Sequence, residues 1–190
     1  MVHRTIRIKR LLATATFTGV TAVAGSATVR TAAGAASAEV RMNVKKPYPA
    51  PELRNVGNWV NSEPLTISSL RGHVVIVAFW TFECINCQRT LPFSNALYAK
   101  YHAKGLEIVG VHTPEFDAER KIENVRKAVK SEHIEYPVVQ DNSFATFEAY
   151  NNRFWPAFYI IDKQGRVRDQ YFGEGAYTKR DKIVAALLAE

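Results

Sequence analysis

Seven consecutive apolar residues, Val74-Val75-Ile76-Val77-Ala78-Phe79-Trp80, restrict what this chain can fold into. A short, β-branched run with no polar alternation reads as a central strand buried on both faces. Shortly after it, Cys84-Ile85-Asn86-Cys87 opens a stretch with helical spacing (Leu91, Ala96, Leu97, Tyr101), in which Pro92 is expected to make a kink and Gly105 to end the helix. Two thiols at i and i+3 at the start of a helix can close a small disulfide ring and reopen it. The helix N-terminus offers unpaired N–H groups and partial positive charge, which favour negative charge on the first sulfur. The chain has 2 cysteines, so any thiol redox chemistry runs through this pair.

The rest of the chain alternates strand and helix patterns. Residues 55–60 are a weak strand candidate, followed by Leu65-Thr66-Ile67 and a turn at Arg71-Gly72. Residues 106–111 form a second buried strand. An amphipathic helix is expected over 115–132, with Ile122, Val125 and Val129 on one face. A short strand at 136–139 and a short helix at 143–150 follow. Strands at 157–161 and 167–172 are joined by Asp162-Lys163-Gln164-Gly165, a hairpin signal, and 176–189 closes the chain as a helix. The order β-α-β-α-β-α-β-β-α predicts parallel crossovers first and an antiparallel hairpin last, in one α/β layered domain.

Charge is concentrated at the N-terminus. The net charge of +7 includes Arg4, Arg7, Lys9, Arg10 and Arg30 in residues 1–38, which contain no acid; the remaining 20 basic residues face 18 acids. This distribution argues against nucleic-acid binding. A basic start, an uncharged stretch over 11–29 and Ala36-Ser37-Ala38 read as an export signal ending in an A-x-A cleavage site, with an uncleaved membrane anchor as the alternative. Residues 39–51, with Pro47, Pro49 and Pro51, read as an extended linker, and 52–190 as the folded domain. An extracytoplasmic compartment is oxidising and lets disulfides persist. Two cysteines are too few for a disulfide scaffold, so the pair reads as a reagent. No second CxxC or His pair at metal spacing accompanies it, and no metal or other cofactor is expected beyond the Cys84–Cys87 disulfide itself.

Several segments carry a family resemblance. Phe79-Trp80 followed by Cys84-x-x-Cys87 resembles the thioredoxin active-site segment, and Trp155-Pro156-Ala157 is similar to its cis-proline segment. With His112-Thr113-Pro114-Glu115-Phe116, Tyr136-Pro137-Val138-Val139 and Phe172-Gly173-Glu174-Gly175, they resemble the extracytoplasmic thioredoxin-like domain of DipZ-type cytochrome c biogenesis transporters. More broadly they are similar to TlpA/ResA-like thiol-disulfide oxidoreductases. The resemblance covers about residues 50–190. It implies a thioredoxin-like three-layer sandwich with a mixed central sheet and a C-terminal antiparallel hairpin plus helix. It also implies an exported protein-disulfide reductase whose partners are thiols and disulfides of envelope proteins and a membrane thiol-electron transporter.

The resemblance further assigns roles. Cys84 is the nucleophile, Cys87 resolves the mixed disulfide, and Pro156 is a cis-proline facing them, with the Trp155 backbone pairing to an extended substrate. Trp80 either flanks the thiol pocket or is plain core. A typical thioredoxin has a buried Asp two residues before its active-site Trp; here that residue is Ala78, and Glu83 or Glu174 are the candidate proton acceptors. The usual Gly-Pro between the cysteines is replaced by Ile85-Asn86, which leaves the direction of electron flow open. His112 reads as a satisfied loop histidine. Tyr150, Phe154, Trp155 and Phe158 are expected to form a core cluster around the hairpin, and Tyr177 to follow that hairpin near the site. Two other readings remain open. Thr81-Phe82-Glu83-Cys84 fits the Thr-x-x-Cys pattern of peroxiredoxin peroxidases, and Cys84, Cys87 and His112 would suit Cu(I).

Overall fold

The computed structural model describes residues 42–190; the export or anchor reading of residues 1–38 lies outside them. Seven strands form one mixed sheet: β1 (Tyr48–Pro49), β2 (Trp59–Val60), β3 (Val74–Trp80), β4 (Leu106–His112), β5 (Val138–Gln140), β6 (Ala157–Ile161) and β7 (Arg166–Phe172), in the spatial order β1-β7-β6-β3-β4-β5-β2. The β3–β4 and β4–β5 pairs are parallel, and β6 returns antiparallel to β3 before the β6–β7 hairpin. Four α-helices are described: α1 (Ile85–Tyr101), α2 (Ile122–Ser131), α3 (Ala145–Ala149) and α4 (Tyr177–Ala189). No helix among the described residues is long and apolar enough to cross a membrane.

The apolar run explains the layering. Every residue of β3 is buried, and its alternate side chains enter two separate cores. Val74, Ile76, Ala78 and Trp80 pack with Cys87, Leu91 and Leu97 of α1, Val125 and Val129 of α2, and Ile183, Val184 and Leu187 of α4. Val75, Val77 and Phe79 pack on the other side with Phe147 of α3, Tyr150 and Tyr159. A strand with polar residues on one face would leave one of these layers without a floor. Each buried Val or Ile contributes about 1.5–3 kcal/mol, so β3 is the spine of the domain. The expected three-layer sandwich with its C-terminal hairpin and helix is the architecture that forms.

Several elements differ from the sequence reading. The strand expected at 55–60 shrinks to Trp59–Val60, an edge pair on β5, and Leu65-Thr66-Ile67 leads into a 3-10 turn at Ser68–Leu70. The helix expected over 115–132 is broken: a 3-10 turn at Asp117–Arg120 precedes α2, with Lys121 extended between them (φ −82°, ψ 121°). The break arises because Glu119 turns inward to bind backbone amides instead of lying on a solvent face. The α1 helix continues through Pro92. Residues 42–51 bend at Asn43, Lys45 and Lys46 and are extended at β1, and they are paired with the domain. Tyr48 and Pro49 lie beside Val167 and Arg166, Ala50 N–H donates to the Gly165 carbonyl at 3.0 Å, and Asn43 N–H donates to Asp169 at 2.6 Å.

Candidate active site

Strand β3 delivers the chain to the site, and α1 begins there. Cys84 is the N-cap of α1, with extended backbone (φ −77°, ψ 106°), and its Sγ accepts from the Cys87 N–H at 3.3 Å. A sulfur here replaces the Ser, Thr or Asp oxygen that usually satisfies a free helix amide. Cys84 is half-buried and Cys87 is 0% exposed; both are free thiols. One turn of helix thus separates an accessible sulfur from an enclosed one. Burial, then the contact with Cys84, push the Cys87 thiol up, and the nearby Glu115 charge adds to this; the Thr81 backbone pulls the other way. Gln88 closes the loop by donating to the Phe82 carbonyl at 2.6 Å.

The Trp155–Pro156 bond is cis. Trp155 is fixed from two sides: its indole stacks on Phe147 at 4.6 Å, and its Nε1–H donates to the Thr113 carbonyl at 3.1 Å. Pro156 accepts from Gly173 N–H at 2.8 Å. Asn86, between the two cysteines, and Trp155 line the same open groove with Phe154, Phe172 and Gly173, a cavity of about 310 Å³. The CxxC turn and the cis-proline segment, 70 residues apart in the chain, therefore meet on one surface. That surface is apolar: Ile85, Phe154 and Phe172 are 56%, 56% and 45% exposed.

The supporting residues separate. Trp80 belongs to the core, 3% exposed, with its ring edge against His112; Gly110 makes room for it, since a Cβ there would lie 3.1 Å from the indole nitrogen. Glu83 is exposed, and only its backbone N–H is engaged, donating to Glu119 at 3.0 Å. Glu174 forms a surface ion pair with Arg89 of α1 at 3.3 Å. Tyr177 packs on Phe93 at 4.8 Å. The expected aromatic cluster does not form as one unit. Alternation along β6 sends Phe158 into the core opposite Tyr150, and Phe154 points outward against Phe172.

Against the 81–83 segment that leads into Cys84 lies a polar cluster that the sequence did not reveal. Glu119 is fully buried and accepts from the Thr81 hydroxyl and from the N–H groups of Glu83 (3.0 Å), Glu115 (2.6 Å) and Phe116 (3.0 Å). Those bonds outweigh its burial and hold its carboxyl below the ordinary value. His112, also fully buried, has Nε2 3.3 Å from the Thr81 hydroxyl. Its ring stacks on Phe82 at 5.5 Å, and its Nδ1 has no hydrogen-bond partner among the described residues. Burial pulls the imidazole pKa down to about 4, so it rests neutral. The satisfied loop histidine of the sequence reading is instead a buried ring at the end of β4 with one nitrogen unpaired. The one signal for Glu119 was its place three residues after Phe116, the reach-back half of a capping box.

A sequence profile described as the AhpC/TSA family matches residues 44–170. The chain belongs to the AhpC/TSA family. Within it, the chain groups with thioredoxin-like thiol-disulfide oxidoreductases. It is 44% identical to Protein DipZ of Mycobacterium bovis over 142 residues, which is 73% of this chain and 20% of that protein. It thus spans a fifth of the length of that relative. Thiol-disulfide oxidoreductase YkuV of Bacillus subtilis is 27% identical over 147 residues, covering 77% of this chain and 99% of YkuV. Among solved structures, a thioredoxin-family thiol:disulfide interchange protein from Chlorobium tepidum superposes with a TM-score of 0.64 at 26% identity, covering 75% of this chain and 97% of that one. The fold is thioredoxin-like.

Proposed function

We propose that this chain reduces protein disulfides outside the cytoplasm through the Cys84/Cys87 couple, recharged by a membrane thiol transporter. The observation that carries the reading is the asymmetry of the two sulfurs on one helical turn, half-buried Cys84 at the N-cap and enclosed Cys87 behind it. The Cys84 thiolate attacks a substrate disulfide, forming a mixed disulfide and releasing the first substrate thiolate. Cys87 then loses its proton and attacks Cys84; the Cys84–Cys87 bond forms, and the second substrate sulfur leaves and takes up a proton. Two electrons pass to the substrate, and the transporter's dithiol restores them. The export reading rests on the composition of residues 1–38, and the transporter reading on the similarity to DipZ.

Cys84→Ser should abolish insulin reduction, whereas Cys87→Ser should accumulate mixed disulfides on non-reducing gels; absence of both effects would overturn the assignment. The midpoint potential tests direction: about −270 mV is the reductase range and about −120 mV the oxidant range. The peroxidase alternative loses support because the Thr81 hydroxyl is committed to Glu119. For copper, no three His, Cys, Asp or Glu side chains gather as ligands among the described residues.

A further inference from the structure

We propose that Asp141 is a positioning residue for client binding: it holds the three residues that fix the Trp155 indole, and so sets where the Trp155–Pro156 segment stands beside the cysteine-bearing groove. This deepens the reductase reading and rests on it, because on that reading the Trp155 backbone pairs to an extended client. Trp155 lies two residues before β6 and packs against both cores. The Thr113 carbonyl accepts its indole Nε1–H at 3.1 Å, Phe147 stacks on its ring at 4.6 Å, and Phe144 meets it edge-on at 6.4 Å. Asp141 binds each of the three. Its Oδ2 accepts from the Phe147 N–H at 2.8 Å and from the Thr113 hydroxyl at 3.4 Å, and its backbone carbonyl accepts from the Phe144 N–H at 3.1 Å.

Asp141 is fully buried and directly follows β5, and its own N–H donates to the His112 carbonyl at 2.9 Å. A carboxylate serving only the start of α3 would need no more than the Thr146 and Phe147 amides, which it accepts at 3.3 and 2.8 Å. Here it also reaches the loop after β4, where the Thr113 N–H donates to the Trp80 carbonyl at 3.1 Å. Strands β4 and β5 and helix α3 are thereby tied together at the indole. Phe144 stands at φ +61°, a conformation that non-glycine residues rarely adopt, and its bond to the Asp141 carbonyl holds it there. Each of these side-chain bonds is accepted by Asp141, which suits an ionised carboxylate with no donor of its own. An amide at this position would turn its NH2 group toward a donor, either at Thr146 or at the Phe147–Thr113 pair, and the grip on the indole would loosen. Trp155 lines the groove with Asn86, the residue between the two cysteines, so a displaced indole alters the surface that a client meets rather than the thiols.

The test compares two disulfides, insulin and the small aromatic disulfide DTNB. Insulin is a polypeptide that can pair along Trp155, whereas DTNB needs only the thiols. Asp141→Asn should raise KM for insulin about fivefold, with the loss falling on KM rather than kcat, and kcat/KM for insulin should drop by that factor relative to the second-order rate with DTNB. Thr113→Val leaves the α3 bonds in place and keeps the test open if Asp141→Asn folds poorly; it should act in the same direction by about threefold, and Thr113→Ser, which keeps the hydroxyl, should restore KM. A second readout is the Trp155 indole N–H, identified in an NMR spectrum by its loss in Trp155→Phe; its exchange with solvent should quicken about fivefold in Asp141→Asn. An unchanged KM for insulin in both variants overturns the proposal, as does an equal loss on both disulfides, an unaltered indole exchange or failure of the Ser rescue. A wild-type protein that leaves insulin intact overturns the reductase reading instead, and the indole exchange then still decides whether Asp141 governs Trp155.

Discussion

The two flanks of the Cys84–Cys87 turn are built from opposite materials. On the outer flank, Ile85, Phe154 and Phe172 present apolar surface around an open groove, and few hydrogen bonds constrain them. On the inner flank, Thr81, His112 and Glu119 are fully buried and joined by hydrogen bonds to one another and to three backbone amides. An apolar flank accepts many partner shapes because dispersion and burial are not directional. A buried polar flank admits one arrangement, because every unmade bond there is costly. The site thus combines tolerance toward what binds with rigidity in what reacts.

Glu119→Ala is the strongest way to break that contrast. It strips an acceptor from one hydroxyl and three amides, and at about 1 kcal/mol each the loss is about 4 kcal/mol. A lower urea midpoint with an unchanged denaturant slope would register it; a loss under about 1 kcal/mol would mean the inner flank is not rigid. His112 sharpens the contrast through pH. The unfolded chain binds a proton on this ring near 6.5, whereas the folded ring resists to about 4. The unfolded state therefore holds more protons in that window, and stability falls as pH drops from about 6.5 to about 4, by on the order of 3 kcal/mol. His112→Gln should flatten this part of the stability–pH curve relative to wild type. The smallest effect belongs to the outer flank. Ile85→Ser or Phe154→Ser should change stability by less than about 0.5 kcal/mol. Each should nonetheless raise KM for a protein substrate roughly fivefold, the size of a 1 kcal/mol contact.

The same contrast governs what could be read from sequence. Strands β3 and β4 were legible because buried strands need continuous apolar residues, and the hairpin because Asp162 and Gly165 supply turn chemistry: Asp162 accepts from Gln164 and Arg166 N–H, and Gly165 sits at φ +74°. Cys84, Cys87 and the Trp155-Pro156 step were legible because each motif is local. The inner flank was not. Thr81 just past β3, His112 at the end of β4 and Glu119 in the turn before α2 are far apart in the chain, 31 and 38 positions from Thr81, and each taken alone has an ordinary reading. Glu119 was hidden further by sitting where a helical pattern places a solvent-facing acid. Glu83 and Glu174 drew attention by proximity in sequence to the cysteines and the hairpin, but their carboxylates lie on the surface. The weak signal at 55–60 shrank to two residues because an edge strand needs only enough pairing to cover its neighbour.

The sheet's outer margin bears on how this domain stays apart from other extended chains. Beyond β7 the last strand is Tyr48–Pro49, and a proline has no N–H to offer a further strand. An exposed sheet margin is a place where an extended chain can adhere and seed aggregation. With Pro47 and Pro51 on either side, this margin resists such growth.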